Sequence, residues 1–89
     1  MAAVTVYTTS MCGACMRALA LLERRGIDFA EVSVEDHPEL RDGLLARSGR
    51  RTLPQVYIGD RYVGGADELA ALDRSGELLQ LTQVRQDDG

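Results

Sequence analysis

Val4-Thr5-Val6-Tyr7, then Thr8-Thr9-Ser10-Met11, then Cys12-Gly13-Ala14-Cys15 is the run of residues on which the reading is built. The first four alternate Val against Thr and Tyr, the period of two that a β-strand requires. Thr8, Thr9 and Ser10 are loop and capping residues. From Cys15 onward the apolar residues recur at Ala18, Leu19 and Leu22, with Arg17, Glu23, Arg24 and Arg25 on the outer side. That spacing predicts an amphipathic helix, which Gly26 ends. A Cys-x-x-Cys pair therefore sits where a strand hands over to a helix.

Outward from that junction the pattern continues as strands and helices in alternation. Phe29 to Val34 reads as a strand with Ala30, Val32 and Val34 on one face. Asp36-His37-Pro38-Glu39 reads as a helix start with Pro38 at its first position, followed by the stripe Leu40, Leu44 and Leu45 and a stop at Ser48-Gly49. Gln55 to Ile58 and Arg61 to Val63 are strands joined by a tight turn at Gly59-Asp60. Gly64-Gly65 breaks the second of these, and Asp67-Glu68 opens a helix running through Leu69 and Leu72. Ser75-Gly76 sets off a last helical stretch, Glu77 to Leu81, and a polar tail over about 83–89 is expected to fray. The order β-α-β-α-β-β-α predicts an α/β fold with a four-stranded mixed sheet, parallel at the crossover and antiparallel at the hairpin, flanked by helices. Residues 1–89 are expected to form a single domain.

Composition narrows the function classes. The chain has 89 residues, 45% of them hydrophobic, with 14 acidic against 10 basic side chains for a formal charge of −4. An acidic balance argues against general nucleic-acid binding, and three Tyr with one Phe and no Trp do not make a base-stacking platform. All the basic residues are arginine. No apolar run approaches the roughly 20 residues of a membrane helix, and the start lacks the basic and apolar regions of a secretory signal. A cytoplasmic location is expected, where thiols stay reduced. A monomer with no membrane partner is expected as well.

In that setting the cysteine pair reads as chemistry. Cys12 falls just before a helix N-terminus and Cys15 inside its first turn, where unsatisfied amides and the helix dipole favour negative charge. Such a place favours a thiolate over a thiol whose ordinary pKa is about 8.5. Cys12, the more exposed, is the expected nucleophile, and Cys15 the expected resolving thiol. A structural staple is disfavoured because so short a loop removes little chain entropy. A zinc site is disfavoured because two Cys and His37 do not supply four ligands. Cys15 fits an ordinary core position, but Cys12 does not.

Two further stretches carry candidate binding residues. In Arg50-Arg51-Thr52-Leu53-Pro54-Gln55, a cis Leu53-Pro54 bond would turn the Leu53 N–H and C=O toward an extended ligand, whereas a trans bond makes it an ordinary loop proline. Arg50 and Arg51 are either carboxylate-recognition residues or part of a solvated loop. In Gly64-Gly65-Ala66-Asp67-Glu68-Leu69, the glycines allow close backbone approach and the helix start suits a carboxylate. Asp67 either caps that helix or accepts from a ligand ammonium, and the two roles are compatible.

Taken together, these three stretches resemble the glutaredoxins of the thioredoxin superfamily, from about Val4 to Leu81. The resemblance rests on Val-Tyr-Thr before Cys12-x-x-Cys15, on Ser48-Gly-Arg-Arg-Thr-Leu-Pro-Gln-Val-Tyr-Ile58, and on Gly64-Gly-Ala-Asp-Glu-Leu69. It implies a glutathione-dependent thiol–disulfide oxidoreductase acting on protein disulfides or glutathionylated proteins, with glutathione as co-substrate and no tightly bound cofactor. It further implies that Thr52 and Leu53, beside cis-Pro54, hold the cysteinyl part of glutathione through main-chain bonds. Gly65, Ala66 and Asp67 would hold its γ-glutamyl end, and Arg50 and Arg51 would supply positive charge. The chain departs from the common family pattern at Thr9, where many relatives carry lysine, and at Gly13-Ala14, where Pro-Tyr is common. Those departures leave room for a redoxin fed by thioredoxin reductase or another low-molecular-weight thiol. Gly13 also resembles the monothiol members, which implies a third possibility: a [2Fe–2S] cluster held through Cys12 and glutathione between two chains.

Overall fold

A computed structural model describes residues 3–82. Its elements are β1 (Val4–Thr8), α1 (Gly13–Arg24), β2 (Phe29–Ser33), α2 (Leu40–Ser48), β3 (Gln55–Ile58), β4 (Arg61–Gly64), α3 (Ala66–Ser75) and α4 (Glu77–Thr82). The sheet is four-stranded in the order β2-β1-β3-β4. β1 runs parallel to β2 and antiparallel to β3, and β3 pairs antiparallel with β4. This is the expected mixed sheet with helices around it, and it takes the thioredoxin-like form.

Alternation along the two central strands sorts the core into two layers. Val4 and Val6 of β1 and Val56 and Ile58 of β3 face the main core with Ala18, Leu21 and Leu22 of α1, Leu69 of α3 and Leu78 of α4. Tyr57 and Tyr7 face the other way, where they meet Val34, Leu44 of α2, Leu53 and Tyr62. Helices thus cover both faces, and the central β3 is buried at every residue. Arg25, at the end of α1, clips onto Asp73 of α3 by paired bonds of 2.7 and 2.9 Å.

Two features differ from the sequence reading. α2 begins at Leu40 and not at Pro38, because the Leu40 and Arg41 amides bond back to the His37 and Pro38 carbonyls at 2.9 and 3.2 Å, making a turn in place of a first helical turn. The proposed apolar face of β2 is not uniform: Ala30 is exposed at the sheet edge, Val32 is half-buried and Val34 is wholly buried just past the strand. The last helical stretch is a separate helix, as the Ser75-Gly76 break predicts, set off from α3 by left-handed Gly76 with φ 83°. The tail expected to fray, about 83–89, lies outside the described residues.

Two glycines are under opposite constraints. Gly64 has φ +129°, and a Cβ there would lie 2.8 Å from the Glu68 Cβ, an atom fixed by α3. Gly43 lies inside α2 with open space around it. In urea titrations, Gly64→Ala is expected to lower stability by about 2 kcal/mol. Gly43→Ala is expected to raise it by about 1 kcal/mol, the helix-propensity difference.

Candidate active site

Cys12 occupies the N-cap of α1 with extended backbone, and its sulfur takes the place of a capping oxygen. The Cys15 amide donates to Cys12 Sγ at 3.1 Å. Cys12 is half-buried, while Cys15 is only 2% exposed. Burial, followed by the hydrogen bond and charge of neighbouring Cys12, pushes the Cys15 thiol up to about 11. One thiol is thus partly accessible beside an amide donor and the other is held as a thiol deeper in the fold.

The loop from α2 to β3 comes up against this pair. The Leu53–Pro54 bond is cis, and the Cys12 thiol donates to the Leu53 carbonyl at 3.9 Å. A Cβ on Gly65 would lie 3.5 Å from the Pro54 carbonyl, so a glycine there lets the α3 start approach the same loop. The structure therefore brings Cys12, Leu53, Pro54 and Gly65 together, from three separate stretches.

Gln55 holds the loop in shape. It is 1% exposed, and its Nε2 donates to the Arg50 and Thr52 carbonyls at 2.9 and 3.3 Å. Its Oε1 accepts from the Tyr57 hydroxyl at 3.0 Å, and the Arg47 guanidinium lies 4.1 Å over the Tyr57 ring. A buried amide with both ends bonded stabilises one loop conformation, because losing either end leaves polar groups unpaired.

Arg50 and Arg51 are exposed and line a pocket together with Arg41, Leu44, Val34, Leu53 and Gln55. Three guanidinium groups around one opening suit a carboxylate. Thr52 is exposed. The Ala66 side chain is 9% exposed and packs into the main core, at the first position of α3. Nor does Asp67 cap α3. The N-cap is Gly65, and Glu68 reaches back to its amide at 2.8 Å, which holds the Glu68 carboxyl below its usual range. Asp67 stays exposed in the first turn, bonded to no described residue, with its carboxylate available.

The loop before Cys12 holds a carboxylate from the segment after β2. Thr9 and Ser10 both donate to Glu35 Oε2, at 3.1 and 2.7 Å, and these bonds hold the Glu35 carboxyl below its usual range. Arg41, Gln55, Glu35 and Glu68 were missed in the sequence reading. Arg41 was discoverable, being one helical turn before buried Leu44. Gln55 was too, as a polar residue opening an apolar strand. Nothing local marks Glu35, whose partners lie in another loop.

The family model described as Glutaredoxin matches residues 4–63. The chain is 48% identical over 75 residues to a glutaredoxin of Pseudomonas aeruginosa, covering 84% of this chain and 89% of the relative. It is 42% identical over 78 residues to glutaredoxin 3 of Escherichia coli, covering 88% and 94%. Among solved structures, the buckwheat glutaredoxin–glutathione complex superposes with TM-score 0.85 at 27% identity, covering 91% of this chain and 76% of that one. The solution structure of a Brucella melitensis glutaredoxin gives 0.82 at 44% identity, covering 97% and 94%.

The two thiols should be separable by alkylation. Mass spectrometry of iodoacetamide-treated, reduced protein is expected to find Cys12 modified at neutral pH and Cys15 intact until the pH nears about 11; equal labelling would contradict the assignment. The same raised value acts on folding. Native Cys15 keeps a proton that the unfolded chain releases near 9.0, so its contribution to stability falls as pH rises from there toward about 11. Cys15→Ala is expected to flatten that part of the urea-stability profile.

Proposed function

The chain belongs to the glutaredoxin family of thiol–disulfide oxidoreductases, and from that premise we propose that it uses glutathione as its reductant through Cys12 and Cys15. The observation that carries this reading is the sulfur-capped start of α1 opening beside an arginine-lined pocket and a separate, available carboxylate. Glutathione is an extended anion with a carboxylate at its glycyl end and an α-ammonium at its γ-glutamyl end. The Arg41, Arg50 and Arg51 side of the opening suits the first, and Asp67 suits the second. Gly65 and the backbone of Thr52 and Leu53 would take the middle of the tripeptide. Glutathione in the buckwheat relative's complex supports the same occupant here.

The chemistry is thiol–disulfide exchange. The Cys12 thiolate attacks the glutathionyl sulfur of a mixed disulfide, a Cys12–glutathione bond forms, and the substrate sulfur leaves as a thiolate that takes up a proton. A second glutathione thiolate then attacks the glutathionyl sulfur on Cys12, releasing glutathione disulfide and regenerating the Cys12 thiolate. With a protein disulfide, Cys12 forms the mixed disulfide as the substrate's other sulfur leaves as a thiolate. Cys15, after losing its proton, attacks Cys12 Sγ and releases the reduced substrate, and two glutathiones reduce the Cys12–Cys15 disulfide to the dithiol, leaving as glutathione disulfide. We place this exchange in the cytoplasm, where the glutathione pool is reduced.

The test is turnover of a glutathionylated small thiol with glutathione, glutathione reductase and NADPH. Cys12→Ser is expected to lower the rate by roughly a thousandfold or more, as loss of a nucleophile does. Cys15→Ser is expected to keep this activity and to lose reduction of protein disulfides. Arg41→Gln is expected to raise the KM for the glutathionylated substrate about fivefold, the size of one lost charge-assisted bond at a solvated site. Turnover supported by thioredoxin reductase and not by glutathione would overturn the choice of reductant.

A further inference from the structure

Beneath the arginine-lined opening, Ser48 and Gln55 make polar contacts that thiol–disulfide exchange itself does not use. The Ser48 hydroxyl, at the end of α2, donates to the Leu44 carbonyl at 2.9 Å and accepts from the Arg50 amide at 3.0 Å. On the other side of the same residue, the Arg50 carbonyl accepts from Gln55 Nε2 at 2.9 Å. Gln55 Nε2 also reaches the Thr52 carbonyl at 3.3 Å. The peptide groups on both sides of Arg50 are therefore held, and the carbonyls of the two residues flanking Arg51 share one amide.

That amide has one way to sit. Its two N–H bonds face two carbonyls, and turning it over would set its oxygen against them. The Tyr57 hydroxyl, donating to Gln55 Oε1 at 3.0 Å, fixes the same choice from the opposite end. Tyr57 is itself confined: Tyr7 meets its ring edge-on with centroids 5.6 Å apart, Tyr62 lies at 5.3 Å, and Arg47 stands 4.1 Å above it. Burial, the largest cause, pushes the Tyr57 phenol above its ordinary value, so the group stays an O–H donor. An apolar side chain of similar size would fill this space without burying an amide. What the amide adds is one conformation of the loop.

Resting on the reading of glutathione as the reductant, we propose that Gln55, oriented by Tyr57, and Ser48 are positioning residues that set the site's preference for a thiol carrying a carboxylate one residue beyond its cysteine. They act through the backbone. An arginine side chain loses rotamer freedom when its guanidinium settles on a carboxylate. Part of that cost is removed when Arg50 and Arg51 leave the chain already aimed at one opening, and the held peptide groups keep them so aimed. The glycyl residue of glutathione supplies such a carboxylate. γ-Glutamylcysteine, the same molecule without glycine, does not. The preference between them is decided under the loop, by uncharged residues.

The experiment uses the reduced full chain and two mixed disulfides with thionitrobenzoate, one of glutathione and one of γ-glutamylcysteine. Cys12 attacks the peptide sulfur, a Cys12–peptide disulfide forms, and thionitrobenzoate leaves as a coloured anion followed by stopped flow. Wild type is expected to favour the glutathione disulfide about tenfold at low concentration, the size of a charge-assisted bond at a partly solvated site. Gln55→Met is expected to reduce that preference to about threefold or less, chiefly as a higher half-saturating concentration of the glutathione disulfide. Tyr57→Phe and Ser48→Ala are expected to reduce it by smaller factors. Adding Tyr57→Phe to Gln55→Met is expected to take it no further, because the hydroxyl acts through the amide. Ile58→Val, which thins the main core without touching the loop, is expected to lower the melting temperature and keep the preference. Tyr57→Phe removes a single hydroxyl, so the test stands on it where Gln55→Met does not fold. Wild-type preference in the Gln55 and Tyr57 variants, or an equal drop in Ile58→Val, overturns the positioning role. A wild type that reacts equally with both disulfides overturns the arginine-lined opening as the carboxylate site, and one inert toward both overturns Cys12 as the nucleophile.

Discussion

The hydrogen bond from the Cys15 amide to Cys12 Sγ governs how this site is built. α1 starts with amides that its own backbone cannot satisfy, and a sulfur serves where an oxygen ordinarily would. Because the cap is also the more accessible of the two sulfurs, one contact both closes the helix end and fixes the sulfur that faces the α2–β3 loop. The bond further couples the two thiols. Two of the influences that push Cys15 up come from Cys12, through its hydrogen bond and its charge.

The opposite wall of the site depends on a different polar contact. Gln55 begins the buried central strand β3, where an unpaired amide would be costly. Its side chain takes up the Arg50 and Thr52 carbonyls, and Tyr57, stacked under Arg47, holds its oxygen. The loop between α2 and β3 is thereby anchored from beneath, and the Leu53 carbonyl stands at Cys12. A core residue thus shapes the surface beside Cys12, since the strand carrying Gln55 continues the same chain that forms the loop.

Charge is distributed unevenly around these walls. With no lysine in the chain, the positive side is built from Arg41 on α2 and from Arg50 and Arg51 on the following loop. The loop before Cys12 carries hydroxyls at Thr9 and Ser10, and they hold the Glu35 carboxylate. One side of the opening favours an anion, and Arg41 acts on the Glu35 carboxylate as well.

Local pattern was enough for the elements that a few neighbouring residues specify. Alternation at Val4 to Tyr7, helical spacing from Cys15 to Leu22, the Gly59-Asp60 turn and the helix stops at Gly26 and Gly49 all lie within one or two turns of chain, so the sequence determined them. It also determined that a cysteine pair would stand at a helix start, because Cys-x-x-Cys and the helix adjoin. Contacts across the chain were another matter. Whether Asp67 or Glu68 capped α3 depended on a side chain curling back to Gly65. Where the Ala66 side chain went depended on how α3 packed on the sheet, and it is buried in the main core. The Arg41 face, the Gln55 anchor and the Glu35 tether join residues from separate loops and helices. They arise only when β1 and β3 pair and α2 folds over them, because side-chain hydrogen bonds and charge pairs act over a few ångströms of space and carry no periodic signature along the chain.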